Sequence, residues 1–196
     1  MVLRAGFFLG GGSMKTWKIL SEEEVFAAHP FLRVVKQAVS LPDGRVIDDF
    51  YQVKLRTYAI VVPVTPEGEV VTIDQYKHGP GRVGISFPAG FVEAGEEPAK
   101  GAARELLEET GFDFENLIPL GTYVDNGNQR GCEGHQFLAT GCRWVQDAQS
   151  GDLEQMEVRL RHPEDLDRAM AEGRLGVMHD VAAWGMVRTL HRDVFG

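Results

Sequence analysis

Apolar positions in the first third of the chain follow strand-like patterns. Residues 31–39 (Phe-Leu-Arg-Val-Val-Lys-Gln-Ala-Val) and 45–55 are rich in β-branched side chains. They flank Leu41-Pro42-Asp43-Gly44, a turn signal, so two strands are predicted there. A short apolar run at 57–64 stops at Thr65-Pro66-Glu67-Gly68 and resumes over 69–76, which predicts a hairpin. A glycine-rich loop follows from Gly79 to Gly84. The period then becomes helical: Ala99, Ala102, Ala103, Leu106 and Thr110 share one face of a helix over 97–110. Pro98 sits near its first position, where a missing N–H costs nothing, and Gly111 supplies the C-terminal stop. Further strands are predicted around 117–124, 134–141 and 155–160, and helices near 163–173 and 179–194. In the last helix Val181, Trp184, Val187, Leu190 and Val194 form a stripe for core or subunit packing. Strands and helices mix without a repeated βαβ unit, which places the fold in the α/β or α+β class and argues against a Rossmann sheet.

Composition narrows the function. The 196 residues suit one domain with a small added element. Formal net charge is −9, which argues against nucleic acid as the partner, because a polyanion needs a basic surface. A small phosphate ligand remains compatible if a divalent cation supplies positive charge. Cys132 and Cys142 form no CxxC pair and imply no disulfide framework, which fits a cytoplasmic protein. No run approaches the roughly 20 apolar residues of a membrane span. Residues 1–13, ending Gly10-Gly11-Gly12-Ser13, read as a flexible leader, with 14–56 as an N-terminal β extension and 57–196 as the main domain.

Candidate chemistry lies in Gly90–Phe112, GFVEAGEEPAKGAARELLEETGF. Glu105, Glu108 and Glu109 fall at i, i+3 and i+4, on one side of the helix. Like charges at this spacing repel, and these sit in the last turns, where the macrodipole disfavours them. A solvated acidic face is one reading. A divalent cation that relieves both penalties is the other, and Mg²⁺ prefers such oxygen ligands. Gly90, Glu96, Arg104-Glu105, Leu106, Glu108-Glu109 and Gly111-Phe112 match G-x5-E-x7-R-E-U-x-E-E-x-G-U, where U is bulky and apolar. Seven identities at ordinary usage agree by chance on the order of once in 10⁸ starts. The segment resembles the Nudix box.

That resemblance implies a three-layer α/β/α Nudix sandwich with a mixed sheet, and hydrolysis of a nucleoside diphosphate linked to another group. It implies Glu105, Glu108, Glu109 and the Ala89 carbonyl as ligands for Mg²⁺, with Mn²⁺ as an alternative. Glu96 and Arg104 would tie the loop to the helix, with phosphate binding as a second role for Arg104; Gly90 and Gly111 complete the structural box. Phe87-Pro88-Ala89-Gly90, Gln75-Tyr76-Lys77 and the N-terminal strand region resemble the ADP-ribose pyrophosphatase and nucleoside diphosphate-sugar hydrolase branch, whose members are typically homodimers. By alignment on Met156, Glu154 is the candidate general base and Glu157 the second. Lys77, Arg82 and Arg130 are candidate substrate contacts; a surface turn is the other reading of the Arg130 loop. His135 reads as a hydrogen-bonded strand residue. Three positions depart from the branch: Ser86 where Glu is frequent, Lys77 where Arg is frequent, and Asp125-Asn126-Gly127 where Ser-Pro-Gly is frequent. These keep another sugar nucleotide, GDP-mannose or a UDP-sugar, beside ADP-ribose as substrate. A non-catalytic Nudix-fold sensor is the competing class. Retention of every box glutamate argues against it.

Overall fold

The computed structural model describes residues 14–151 and 155–195, so the predicted leader lies outside the described residues. An antiparallel meander comes first: β1 (Lys18–Ala28), β2 (Leu32–Ser40) and β3 (Val46–Leu55). The apolar pattern does not single out β1, whose centre is Ser21-Glu22-Glu23-Glu24. Cross-strand complementarity replaces hydrophobic alternation there. Glu23 faces Lys36 in register, Glu22 accepts from Gln37 Nε2 at 2.7 Å and also pairs with Lys54, and Arg33 lies 3.4 Å from Glu24.

The remaining strands are β4 (Tyr58–Val64), β5 (Val70–Lys77), β6 (Arg82–Ser86), β7 (Ala89–Phe91), β8 (Phe112–Asp113), β9 (Asn116–Asn126), β10 (Arg130–Thr140), β11 (Arg143–Trp144) and β12 (Met156–Arg161). The main path runs β1-β2-β3-β10-β4-β5-β12, with β6 on β5, β7 on β4 and β9 on β10. β10 runs parallel to β4 and antiparallel to β9, so the sheet is mixed. β4 and β5 pair only at Val64↔Val70 before they diverge. That divergence lets β7 lie along β4 and β6 along β5, and it opens the sheet in front of the box helix. The expected glycine-rich loop is shorter than 79–84. Gly81, at φ +68°, closes a tight turn, and Arg82–Gly84 already pair with β5.

Every residue of β4 is buried, because helices cover both faces of the sheet. On one face α1 (Pro98–Thr110) sets Ala102 and Leu106 against Ala59, Val61, Val71 and Phe137. On the other, α2 (Pro163–Ala171) and α3 (Met178–Leu190) set Leu166, Ala183, Trp184 and Val187 against Ile60, Val62 and Leu138. The result is the expected α/β/α sandwich. Two core expectations are corrected. Ala99 is exposed in the first turn of α1. Leu190 is exposed where α3 ends, so a 3₁₀ turn (Arg192–Phe195) rather than a continued stripe returns the chain to Trp184, with Phe195 5.6 Å from its ring. No helix among the described residues is long and apolar enough to cross a membrane.

Candidate active site

Local backbone geometry fixes the box. Pro98 opens α1, and Gly111 (φ +74°) closes it with its N–H on the Leu107 carbonyl at 2.9 Å. A Cβ on Gly111 would stand 1.9 Å from the Gln146 carbonyl oxygen, so the residue must be glycine twice over. Gly90, on β7, lies against the Glu105 carboxyl. A Cβ there would fall 2.2 Å from Glu105 Cδ.

Arg104 is the hub of the charged cluster. Its Nε and Nη2 donate to the two Glu96 oxygens, both at 3.1 Å, and Nη2 also donates to the Phe91 carbonyl at 3.1 Å. Nη1 donates to Glu105 Oε1 at 2.6 Å and to Glu108 Oε2 at 3.2 Å. Glu96 also accepts from the Glu93 N–H at 2.9 Å. The Arg104 bond first, and then the Glu93 N–H, holds the Glu96 carboxyl below the usual range. Glu96 in turn raises the Arg104 guanidinium. The geometry of these two residues is that of a clasp between β7 and α1.

Glu109 is 3% exposed, and its Oε2 accepts the Ala89 N–H at 2.9 Å. The Glu105 side chain is 12% exposed, whereas that of Glu108 is 47% exposed. Among the described residues, no three acidic, imidazole or thiol side chains already converge on one point. The Arg104 guanidinium instead stands between Glu105 and Glu108. The donor set still fits a hard divalent cation: it consists of oxygens, it is crowded with like charge, and Gly90 leaves the space that keeps Glu105 against β7. Glu105, Glu108, Glu109 and the Ala89 carbonyl are the oxygens that would hold the ion.

Glu105, Glu109, Ala89 and Gly90 line one cavity of about 640 Å³, together with Lys77 and Arg104. Arg56, Phe91, Tyr58, Asp125 and His179 also line it, and no local motif marks Arg56, Tyr58 or His179. Arg56 lies over the Phe91 ring at 4.1 Å. Tyr58 donates to Asp125 Oδ1 at 3.2 Å and rests against His179, with ring centroids 5.0 Å apart. Burial first, then the Asp125 charge, pushes the Tyr58 hydroxyl upward and the Cys132 thiol up to about 11. Burial lowers His179 to about 4, so its ring is neutral at pH 7.

Beneath this wall, Asp180 is fully buried, and its Oδ1 accepts the Phe87 N–H at 3.0 Å. Its Oδ2 has no hydrogen-bond partner among the described residues, and burial pushes the carboxyl up to about 7. Asp180 thereby ties α3 to the Phe87–Gly90 segment that presents Ala89.

The other candidates lie elsewhere. Arg82 does not line the cavity and donates to the Gly173 carbonyl at 2.7 Å. Arg130 (φ +68°) pairs with Glu133 at 3.1 Å, beside a turn in which Asn126 Oδ1 accepts the Asn128 and Gln129 N–H groups at 2.9 and 2.7 Å. His135 shares a hydrogen bond with Thr122 at 2.9 Å, a strand contact as expected. Glu157 is an exposed residue of β12, paired with Arg159, and does not line the cavity. Glu154 lies outside the described residues.

Comparison with known proteins agrees with this geometry. The NUDIX domain family model matches residues 54–181, and the Nucleoside diphosphate sugar hydrolase N-terminal domain model matches 17–53. An ADP-ribose pyrophosphatase of Bacillus subtilis is 29% identical over 147 residues, 73% of this chain and 78% of that protein. A CMP-5'-(N-acetyl-N-hydroxy-3-aminopropyl)phosphonate hydrolase of Streptomyces rubellomurinus is 27% identical over 165 residues, 80% of each. Mouse ADP-sugar pyrophosphatase is 46% identical over 46 residues, 24% of this chain and 21% of that protein. A crystal structure of an ADP compounds hydrolase shares the fold, with a TM-score of 0.76 at 18% identity over 93% of this chain and 97% of that one. The box geometry and a family model that spans more than half of the chain place it in the Nudix family, as a Nudix pyrophosphohydrolase.

Proposed function

We propose that the protein hydrolyses the diphosphate bond of a nucleoside diphosphate-sugar in a Mg²⁺-dependent reaction, with ADP-ribose cleaved to AMP and ribose 5-phosphate. The observation that carries this reading is the placement of Glu105, Glu109 and Ala89 on the wall of a cavity that also holds Lys77 and Arg104. One water adds to one phosphorus, the bridging P–O bond breaks, and each product leaves with one phosphate. When bound, the cation supplies charge neutralisation at the diphosphate and makes water more acidic. The chain's own residues do the rest. The clasp of Glu96 on Arg104 fixes β7 against α1. The Ala89 N–H orients Glu109. Lys77 offers a point charge to phosphate, without the bidentate grip of an arginine.

Glu154 is the proposed general base. The exposure of Glu157 and its pairing with Arg159 favour Glu154 over it. Glu154→Gln is expected to lower kcat more than it raises KM; an unchanged kcat would move the base elsewhere. Residues 14–56 are the proposed extension, which exposes Trp17, Ile19, Leu20 and Phe26, and we assign it to a homodimer contact in a cytoplasmic enzyme.

Ser86, Lys77 and Asp125-Asn126-Gly127 favour a second reading, in which GDP-mannose or a UDP-sugar replaces ADP-ribose. Product analysis with Mg²⁺ and a panel of ADP-ribose, GDP-mannose, UDP-glucose, NADH, diadenosine polyphosphates and nucleoside triphosphates decides between them. AMP and ribose 5-phosphate from ADP-ribose are expected. Faster cleavage of another sugar nucleotide reassigns the substrate, and binding without turnover of any compound overturns the enzyme reading for a sensor.

A further inference from the structure

The segment that presents the Ala89 carbonyl crosses the gap where β4 and β5 diverge. The chain leaves β5 at Ser86, the last residue of β6, and joins β4 at Ala89, so Phe87 and Pro88 span the two strands. Pro88 has no N–H, and its carbonyl accepts the Val61 N–H at 3.0 Å. The two N–H groups on either side of it go to carboxylates. Phe87 donates to Asp180 Oδ1 at 3.0 Å, and Ala89 donates to Glu109 Oε2 at 2.9 Å. Helices on opposite faces of the sheet, α3 and α1, thus hold one short segment, each through a buried acid.

Asp180 does more than packing requires. It lies in the first turn of α3, yet its Oδ1 reaches out of the helix to the Phe87 N–H. It is fully buried, where a carboxyl is costly and an apolar side chain would avoid the cost. One turn further on, Trp184 stacks on the Phe87 ring, with centroids 6.2 Å apart and planes at 29°. Trp184 Nε1 donates in turn to Asp167 Oδ1 of α2 at 2.9 Å. Phe87 is therefore gripped by its backbone and by its ring, from residues four apart on one helix.

Resting on the metal-dependent reading, we propose that Asp180 is a positioning residue for the cation: through the Phe87 N–H it sets where the Ala89 carbonyl stands, and so how tightly the ion is held. Removing a group that orients a metal's ligands typically costs about ten- to a hundredfold in affinity. Here the effect passes through two residues of backbone, so a smaller factor is expected.

Mn²⁺ titration, followed by the electron paramagnetic resonance of the free ion, tests this on the full chain without substrate and at a single pH. Asp180→Ala removes the acceptor and is expected to weaken Mn²⁺ binding at least fivefold. Asp180→Asn keeps an oxygen for the Phe87 N–H and is expected to stay within twofold of wild type. Val187→Ala, further along α3, loses buried packing but keeps the Phe87 bond. It is expected to melt lower than wild type with Mn²⁺ affinity within twofold. If Asp180→Ala does not fold, Asp180→Cys, close to aspartate in size but only a weak acceptor, replaces it, with an expected loss of at least threefold. Affinity within twofold of wild type in whichever of the two folds overturns the proposal. An equal loss in Asp180→Asn or Val187→Ala also overturns it, because the effect would then be one of general stability. No Mn²⁺ binding to wild type at millimolar concentration defeats the metal site and the proposal together. If wild type cleaves no sugar nucleotide but its Mn²⁺ binding falls with Asp180→Ala and is kept in Asp180→Asn, the reaction reading fails and the positioning role stands.

Discussion

At the residue scale, two substitutions separate the chemistry of the site from its stability. Gly90 has an ordinary backbone, so a methyl group there costs little by itself; it collides with the Glu105 carboxyl, the far end of a side chain that can swing away. Gly90→Ala is expected to reduce turnover at least tenfold while the melting temperature moves by only a few degrees. A steady-state rate and a thermal melt on one preparation check both halves. Glu109→Gln keeps an oxygen for the Ala89 N–H but removes the charge. Turnover is expected to fall at least 10²-fold with the fold intact, and a near-normal rate would refute the ligand assignment.

Asp180 yields a pH prediction of the opposite kind to a salt-bridged acid. Burial raises its folded value to about 7, above the ordinary aspartate value of 3.8. Its contribution is therefore most favourable below about 4 and is lost as pH rises through about 7. Asparagine keeps the acceptor for the Phe87 N–H and never ionises. The melting temperature of Asp180→Asn relative to wild type should therefore be higher at pH 8 than at pH 5. An offset independent of pH would show that Asp180 does not titrate in this window. The box residues were legible in the sequence because the Glu96–Arg104 clasp, the close approach at Gly90 and the stop at Gly111 tie their identity to their spacing within 23 residues. Tyr58, His179 and Asp180 were not, because β4 and α3 bring them together from distant parts of the chain, and no local spacing records it.

At the element scale, the helix and the inner strands could be read because burial dictates their composition. β4 is covered on both faces and is apolar throughout, and α1 carries Ala102 and Leu106 on a helical period. β1 escaped because charge pairing across the strand, rather than burial, holds it, and such a pattern has no period of its own. β6 escaped because its glycines suggested a loop. Gly84 is needed instead for a close approach, since a Cβ would lie 3.2 Å from the Arg174 carbonyl oxygen. The stop of α1 is the element feature most exposed to a single change. Gly111→Ala adds the left-handed backbone penalty to a direct clash with the Gln146 carbonyl. It is expected to destabilise by more than about 1 kcal/mol, well beyond the effect of an ordinary surface change. Chemical denaturation measures this directly, and because the last turn carries Glu108 and Glu109, turnover should fall with it.

At the scale of the whole molecule, the N-terminal meander leaves an uncompensated surface. β1 is an edge strand with most of both faces exposed, and Ile19, Leu20, Val25 and Phe26 are open to solvent. Trp17 just before it is half exposed and meets Phe50 edge-on at 5.8 Å. Among the described residues nothing pairs with the outer edge of β1, and an edge strand with large exposed apolar side chains invites pairing with another chain. The proposed homodimer gives the surface an occupant. Charge placed in the patch should remove the association without disturbing the sandwich, because neither Ile19 nor Phe26 belongs to its two core clusters. Light scattering of wild type at micromolar concentration is expected to give twice the chain mass, and Ile19→Glu with Phe26→Glu is expected to give the chain mass with the thermal transition of the core preserved. A wild-type monomer would remove the dimer from the proposal. A double variant that remains dimeric would move the contact away from β1, and the outer face of α3, where Met178 and Leu190 are exposed, would then be the surface to charge next.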